Sequence, residues 1–227
     1  MLHSRPVPSL IAADFPMPES AKPKLRRRSQ LLRRLTLLLM RFGVTSEAVA
    51  VTGMVLGILA GIAFMATGEI SHPRTAWGIG AGLCLLRILA IRLDGMLQPV
   101  SSRQSREEEF YNELPERVSD ATTLIGFGFA VDSNPWMGLA AALSAIFSAY
   151  IRSLAISRLG GSQHTGPVLM TRTHRLALLA VASLPMILEF RSPWTGTTPA
   201  ELTLYVIVAG CLITVVHRWF LLRGIRV

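Results

Sequence analysis

The chain has 227 residues, 51% of them hydrophobic and 16% charged, with a formal net charge of +9. A mean hydropathy of +0.45 excludes an ordinary soluble domain and points to a membrane protein with little mass outside the bilayer. The basic residues cluster between apolar runs and not along one face, which argues for anionic lipid as a partner and against nucleic acid.

Residues 1–22 contain Pro6, Pro8, Pro16 and Pro18 with few large apolar groups, and are expected to form a flexible N-terminal tail. Residues 23–42 interleave Lys24, Arg26, Arg27, Arg28, Arg33, Arg34 and Arg41 with leucines. That mixture suits a basic amphipathic helix lying in the headgroup plane, leucines buried and arginines on phosphates. A basic flank that only fixes orientation is the plainer alternative.

Six apolar segments follow, each near the ~20 residues a spanning helix needs. They run from Val44 to Thr67, Thr75 to Met96, Pro115 to Val131, Asn134 to Ser157, His174 to Phe190 and Thr198 to Leu222. Pro135 suits a first helical turn, and Pro185 is expected to kink the fifth segment. The expected architecture is an all-α integral membrane protein, a six-transmembrane-helix bundle over 43–227 preceded by the N-terminal interfacial amphipathic helix. Arg74 and Arg191 are the only Lys or Arg in the loops after the first, third and fifth segments. The positive-inside rule therefore places both termini in the cytoplasm, as for a bacterial-type inner (plasma) membrane protein.

Several residues have a structural reading. Cys84 and Cys211 lie in apolar runs and are expected to be small buried hydrophobes. Gly53, Gly57 and Gly61, then Gly78, Gly80 and Gly82, suit close helix packing. His164 and His174 read as loop polar groups.

The chemistry concentrates between Asp94 and Asp120. One carboxylate, Asp94, closes the second segment, and Glu113, Glu116 and Asp120 open the third at i, i+3 and i+7, on one helical face. Ionisable groups at membrane depth are costly and tend to serve a function. Four converging carboxylates would repel unless cations or protons held them, and hard divalent cations prefer oxygen ligands. Bland readings exist too: Arg87 or Arg92 could pair with Asp94, and Asn112 could cap the third helix with Glu113 and Glu116 in its first turn. Arg152, Arg172 and Arg175, around a Gly/Pro-containing loop, are candidates for acceptor or lipid phosphate or else ordinary cytoplasmic charge.

Asp94-Gly95, followed by Glu116 and Asp120, resembles the CDP-alcohol phosphotransferases (CDP-alcohol phosphatidyltransferases), whose pattern is D-x-x-D-G-x-x-A-R, then G-x-x-x-D-x-x-x-D. The stretch from Phe42 to Gly53 looks like G-[IV]-T-P-N-x-[VL]-T at that family's first span. By position, the resemblance makes Asp94, Glu116 and Asp120 metal ligands, with Asp120 also the base towards the acceptor alcohol. Glu113 becomes a substitute ligand, and Gly95 and Asn112 line the nucleotide. The chain departs from the pattern at Ile91, where the first aspartate would stand, at Gln98-Pro99 in place of Ala-Arg, and at Asn112 in place of the second glycine.

The function so implied is transfer of a phosphatidyl or phospho-alcohol group from a CDP-linked donor to an acceptor alcohol with release of CMP, dependent on Mg2+ or Mn2+. The site would face the cytoplasm, and a homodimer is compatible with the resemblance. The alternative is a catalytically silent relative that keeps the fold to bind lipid or a partner. A transporter is weaker, because the charges gather at one end of the spans instead of mid-membrane.

Overall fold

The computed structural model describes residues 30–97, 106–159, 169–188 and 196–224, and among them shows seven α-helices, one 3-10 turn and no strand. Helix α1 is Gln30–Arg41, and α2 is Ser46–Met65, continued by the 3-10 turn Ala66–Gly68. Then come α3 (Pro73–Leu97), α4 (Arg106–Gly128), α5 (Pro135–Leu159), α6 (Arg172–Ile187) and α7 (Pro199–Gly224).

Local chemistry sets the boundaries. Gly43 sits at φ +69 between α1 and α2, a left-handed turn that a side chain would strain. The Thr45 hydroxyl then accepts from the Ala48 amide at 3.2 Å and caps α2. Asn134 Oδ1 accepts from the amides of Trp136 and Met137 at 3.1 and 3.2 Å, with Pro135 in the first turn of α5 as expected. Thr198 does the same for α7 through the Glu201 amide.

Among the described residues, four helical stretches are long and apolar enough to cross a membrane by length and composition: Ser46–Gly68, Pro73–Leu97, Pro135–Ala155 and Pro199–Phe220. The expected third and fifth spans are helices but do not meet that measure. Helix α6 has 16 residues, and α4 is rich in charge through its first half. The third segment also starts earlier than its apolar residues indicate: α4 is already helical at Arg106, and Pro115 lies inside it. Arg and Glu are good helix formers and carry the helix out past the apolar window. Asn112 is therefore mid-helix and not a cap, which corrects that reading.

Helix α2 packs along α3 and α4, α3 along α6, and α5 against α4 and α7. Gly61 and Gly126 make the α2–α4 approach possible: a Cβ on either would run into the backbone of the other helix. Gly82, by contrast, faces open space, so the small-residue reading fails there. Phe64, Trp77 and Phe127 stack with ring centroids 4.9 to 5.5 Å apart, well away from the charged end. Cys84 and Cys211 are free and fully buried. Large apolar side chains such as Ile62, Ile79, Leu143 and Ile213 point outward, as a lipid-facing surface requires.

Because successive helices alternate direction, the start of α2, the end of α3, the first half of α4, the end of α5, the start of α6 and the end of α7 share one end. Side-chain bonds between Ser46 and Asp94, Glu113 and Ser153, and Arg175 and Asp120 tie that end together. At the other end, the Val131 amide donates to Thr67 and Asn134 Nδ2 to Glu201.

Candidate functional site

Asp94, in the last turn of α3, is buried, and its Oδ1 accepts from Ser46 Oγ at 2.5 Å. Gly95 beside it is exposed, and a Cβ there would meet nothing within 4 Å among the described residues. One turn back, Ile91 packs against the apolar core and offers no oxygen. Arg87, a further turn back on the same face, is 2% exposed. It interacts electrostatically with Asp120, Glu116 and Asp94, while its Nε and Nη2 have no hydrogen-bond partner among the described residues. Its guanidinium fits only because Gly53 of α2 lacks a side chain; a Cβ there would land on Nη1. Arg92 is exposed, so of the two arginines it is Arg87 that is drawn into the bundle.

Glu116 and Asp120 stand one turn apart on α4 and face the first turn of α6. Arg172 bridges them: its Nη1 pairs with Glu116 Oε1, and its Nε donates to Asp120 Oδ2 at 3.2 Å. Arg175 Nη2 donates to the same Oδ2 at 2.5 Å. Asp120 and Arg175 are each 6% exposed, so this is a buried, charge-assisted pair. Thr171 caps α6 and sets both arginines in register; it takes the His174 amide at 3.2 Å and gives its own amide to the His174 ring. His174 is thus part of a helix cap and not a loop residue.

The other predicted residues lie apart from this cluster. Glu113 turns to α5, where Ser153 Oγ donates to it at 3.2 Å, and it pairs with Arg117 in its own helix at 3.2 Å. Arg152 is exposed on α5. Near it Arg218 of α7 is buried, and its Nη1 donates to the Ser148 carbonyl at 3.0 Å. Gln98, Pro99, His164, the tail 1–22 and the first part of segment 23–42 lie outside the described residues, as does the side chain of Asn112. Ser46 was missed altogether. Its signal was available, since serine stands where the family pattern has proline.

The four carboxylates therefore do not converge as the sequence reading expected. Among the described residues no three of His, Cys, Asp and Glu lie close enough together to hold one metal ion. Glu116 and Asp120 have guanidinium partners, Asp94 has a serine hydroxyl, and Glu113 faces another helix. As arranged, this donor set does not fit a divalent-cation cluster. What it can do chemically is present fixed guanidinium forks, oriented by carboxylates, to an anion.

No family model matches the chain, and no curated protein matches it. Solved structures do. The phosphatidylinositol phosphate synthase of Mycobacterium tuberculosis, in complex with manganese and citrate, is 17% identical with a TM-score of 0.64, over 84% of this chain and 88% of that one. The same synthase with CDP-DAG bound gives 18% and 0.61, over 85% and 93%. Its apo form gives 19% and 0.57, over 83% and 94%. At such identities the likeness establishes the fold, across nearly the whole of both chains. With its four apolar helices, this chain is an integral membrane protein of that fold.

Proposed function

We propose that this chain is a membrane phosphotransferase of the CDP-alcohol phosphatidyltransferase type, moving a phosphatidyl or phospho-alcohol group from a CDP-linked donor to an acceptor alcohol with release of CMP. The observation that carries this reading is the meeting of Glu116 and Asp120 with Arg172 and Arg175, with Asp94 in electrostatic reach of Arg87, at one end of a bundle that shares its fold with a synthase solved with CDP-DAG bound. The missing side chain at Gly95, on the last turn of α3 beside Asp94, supports close approach of a nucleotide to the backbone. In phosphoryl-type transfer most of the rate gain comes from positioning and charge stabilisation. Arg172 and Arg175 serve both, and Arg152 is an outer contact for lipid phosphate. Asp120 gives Oδ2 to the arginines, so its role as base towards the acceptor hydroxyl falls to Oδ1. In the same reading Asn112, one turn before Glu116 on α4, is assigned to the nucleotide.

Dependence on Mg2+ or Mn2+ has support from the manganese in the solved neighbour and none from the donor set of this chain. No step is drawn through a cation. In the same reading 43–227 is one six-span unit, with α4 and α6 as the spans beyond the four apolar ones. Segment 23–42 lies in the headgroup plane behind the tail 1–22. Both termini and the site face the cytoplasm of a bacterial-type inner membrane, supported by the distribution of arginines between loops. A homodimer enters through the resemblance alone.

One finding favours the second reading, a catalytically silent relative that holds lipid or a partner protein: Asp120 is shared by two guanidinium groups, while Ile91 closes the first ligand position. A CMP-release screen in liposomes, across CDP-linked donors and acceptor alcohols, separates the two. Release that depends on the acceptor and is lost in Asp94→Asn supports the transferase. Donor binding without release from any pair supports the silent relative.

A further inference from the structure

Within the cluster formed by Asp94, Glu116, Asp120 and the buried or half-buried arginines beside them, charge balances without any metal. Asp94, Glu116 and Asp120 supply three negative charges, and Arg87, Arg172 and Arg175 supply three positive ones. Arg172 and Arg175 already pair with two of the carboxylates. Arg87 is different. It is almost wholly buried, all three carboxylates lie within its electrostatic reach, and two of its donor nitrogens find no acceptor among the described residues. A buried donor without an acceptor is expensive, about 1–3 kcal/mol and more for a charged group. A site that keeps such a group is poised to take an acceptor.

Two departures from the family pattern sit against this arrangement. Ile91, in place of the first aspartate, removes the carboxylate nearest Arg87 along α3. Ser46, in place of the proline, donates to the carboxylate that remains, Asp94, at 2.5 Å. Gly53 makes room for the guanidinium. The carboxylate inventory is lowered and the cation inventory is built into the chain.

We propose that Arg87, Arg172 and Arg175 stand in for divalent cations here, so that the site binds the diphosphate of a CDP-linked compound without a metal. This rests on the donor class of the proposed function and not on turnover. Guanidinium forks suit phosphate oxygens geometrically and carry a fixed charge, whereas a divalent ion would need three oxygen ligands that the described residues do not bring together.

The test uses the full chain in lipid nanodiscs and CDP as the probe, with affinity read by calorimetry in excess chelator and again in millimolar Mn2+. The expected result is CDP binding in chelator, changed less than twofold by Mn2+. Arg87→Lys, which keeps the charge but not the fork, should weaken binding at least tenfold while the protein still melts cooperatively. If that variant does not fold, Arg172→Lys, at a side chain 17% exposed and so less deeply buried than Arg87, provides the same comparison. CDP binding that appears only with Mn2+ overturns the proposal, and so does absence of binding under both conditions. The two readings part cleanly: CMP release that strictly requires a divalent ion leaves the proposed function standing and removes this inference. Chelator-resistant CDP binding with no CMP release does the reverse.

Discussion

At the level of single residues, Asp120 has most to lose. Two guanidinium groups share one of its oxygens in a buried setting, and removing one partner of such a group costs about 3–5 kcal/mol. Asp120→Asn is therefore expected to lower stability by roughly that amount in reversible unfolding in detergent. Glu113→Gln, on a half-exposed pair with Arg117, should change it by about 1 kcal/mol or less. Equal effects would show that the arginine cluster is not the anchor described above. The sequence pointed to Asp94, Glu116 and Asp120 by their places in the resemblance and by helical spacing. It did not point to the partners of Glu116 and Asp120. Arg172 lies 52 residues beyond Asp120, and no local pattern links α4 to the first turn of α6. Arg87 is legible as a partner for Asp94, but nothing in the sequence distinguishes it from Arg92 or shows that it is the buried one.

At the level of helices, two contacts can be broken singly. Thr171 holds the first turn of α6 and with it both arginines, so Thr171→Ala should cost about 1 kcal/mol, the usual price of a lost N-cap. It should also weaken anion binding without any change to a charged group; an unchanged CDP affinity would separate the cap from the site. Gly61→Leu forces α2 away from α4, where the two backbones meet, and is expected to destabilise by about 3 kcal/mol, at the upper end for overpacking. The apolar runs gave the helices within a few residues because lipid leaves the backbone no other way to satisfy itself. The exception was α4. Its first turns are charged and helix-forming, so hydropathy saw only the part after Pro115, and the proline was read as a start when it lies inside.

For the whole molecule, four helices satisfy length and apolarity, while α4 and α6 carry their charges at the same end of the bundle. If that end faces the cytoplasm, a cysteine introduced at Arg34 should react with a membrane-impermeant thiol reagent only in inside-out vesicles. One at Glu69, at the opposite end, should react only in right-side-out ones. The native Cys84 and Cys211, both fully buried, should stay silent in each. Reversed labelling would move the site to the outer face, away from nucleotide.

The most direct measurement is a cryo-electron microscopy structure of the chain with a CDP-linked lipid bound in chelator. The account predicts the diphosphate against Arg87, Arg172 and Arg175, with Gly95 beneath the nucleotide and Asp120 still holding both arginines of α6. A donor seen only when Mn2+ is added, with ions between Asp94, Glu116 and Asp120 and the arginines swung clear, would contradict it.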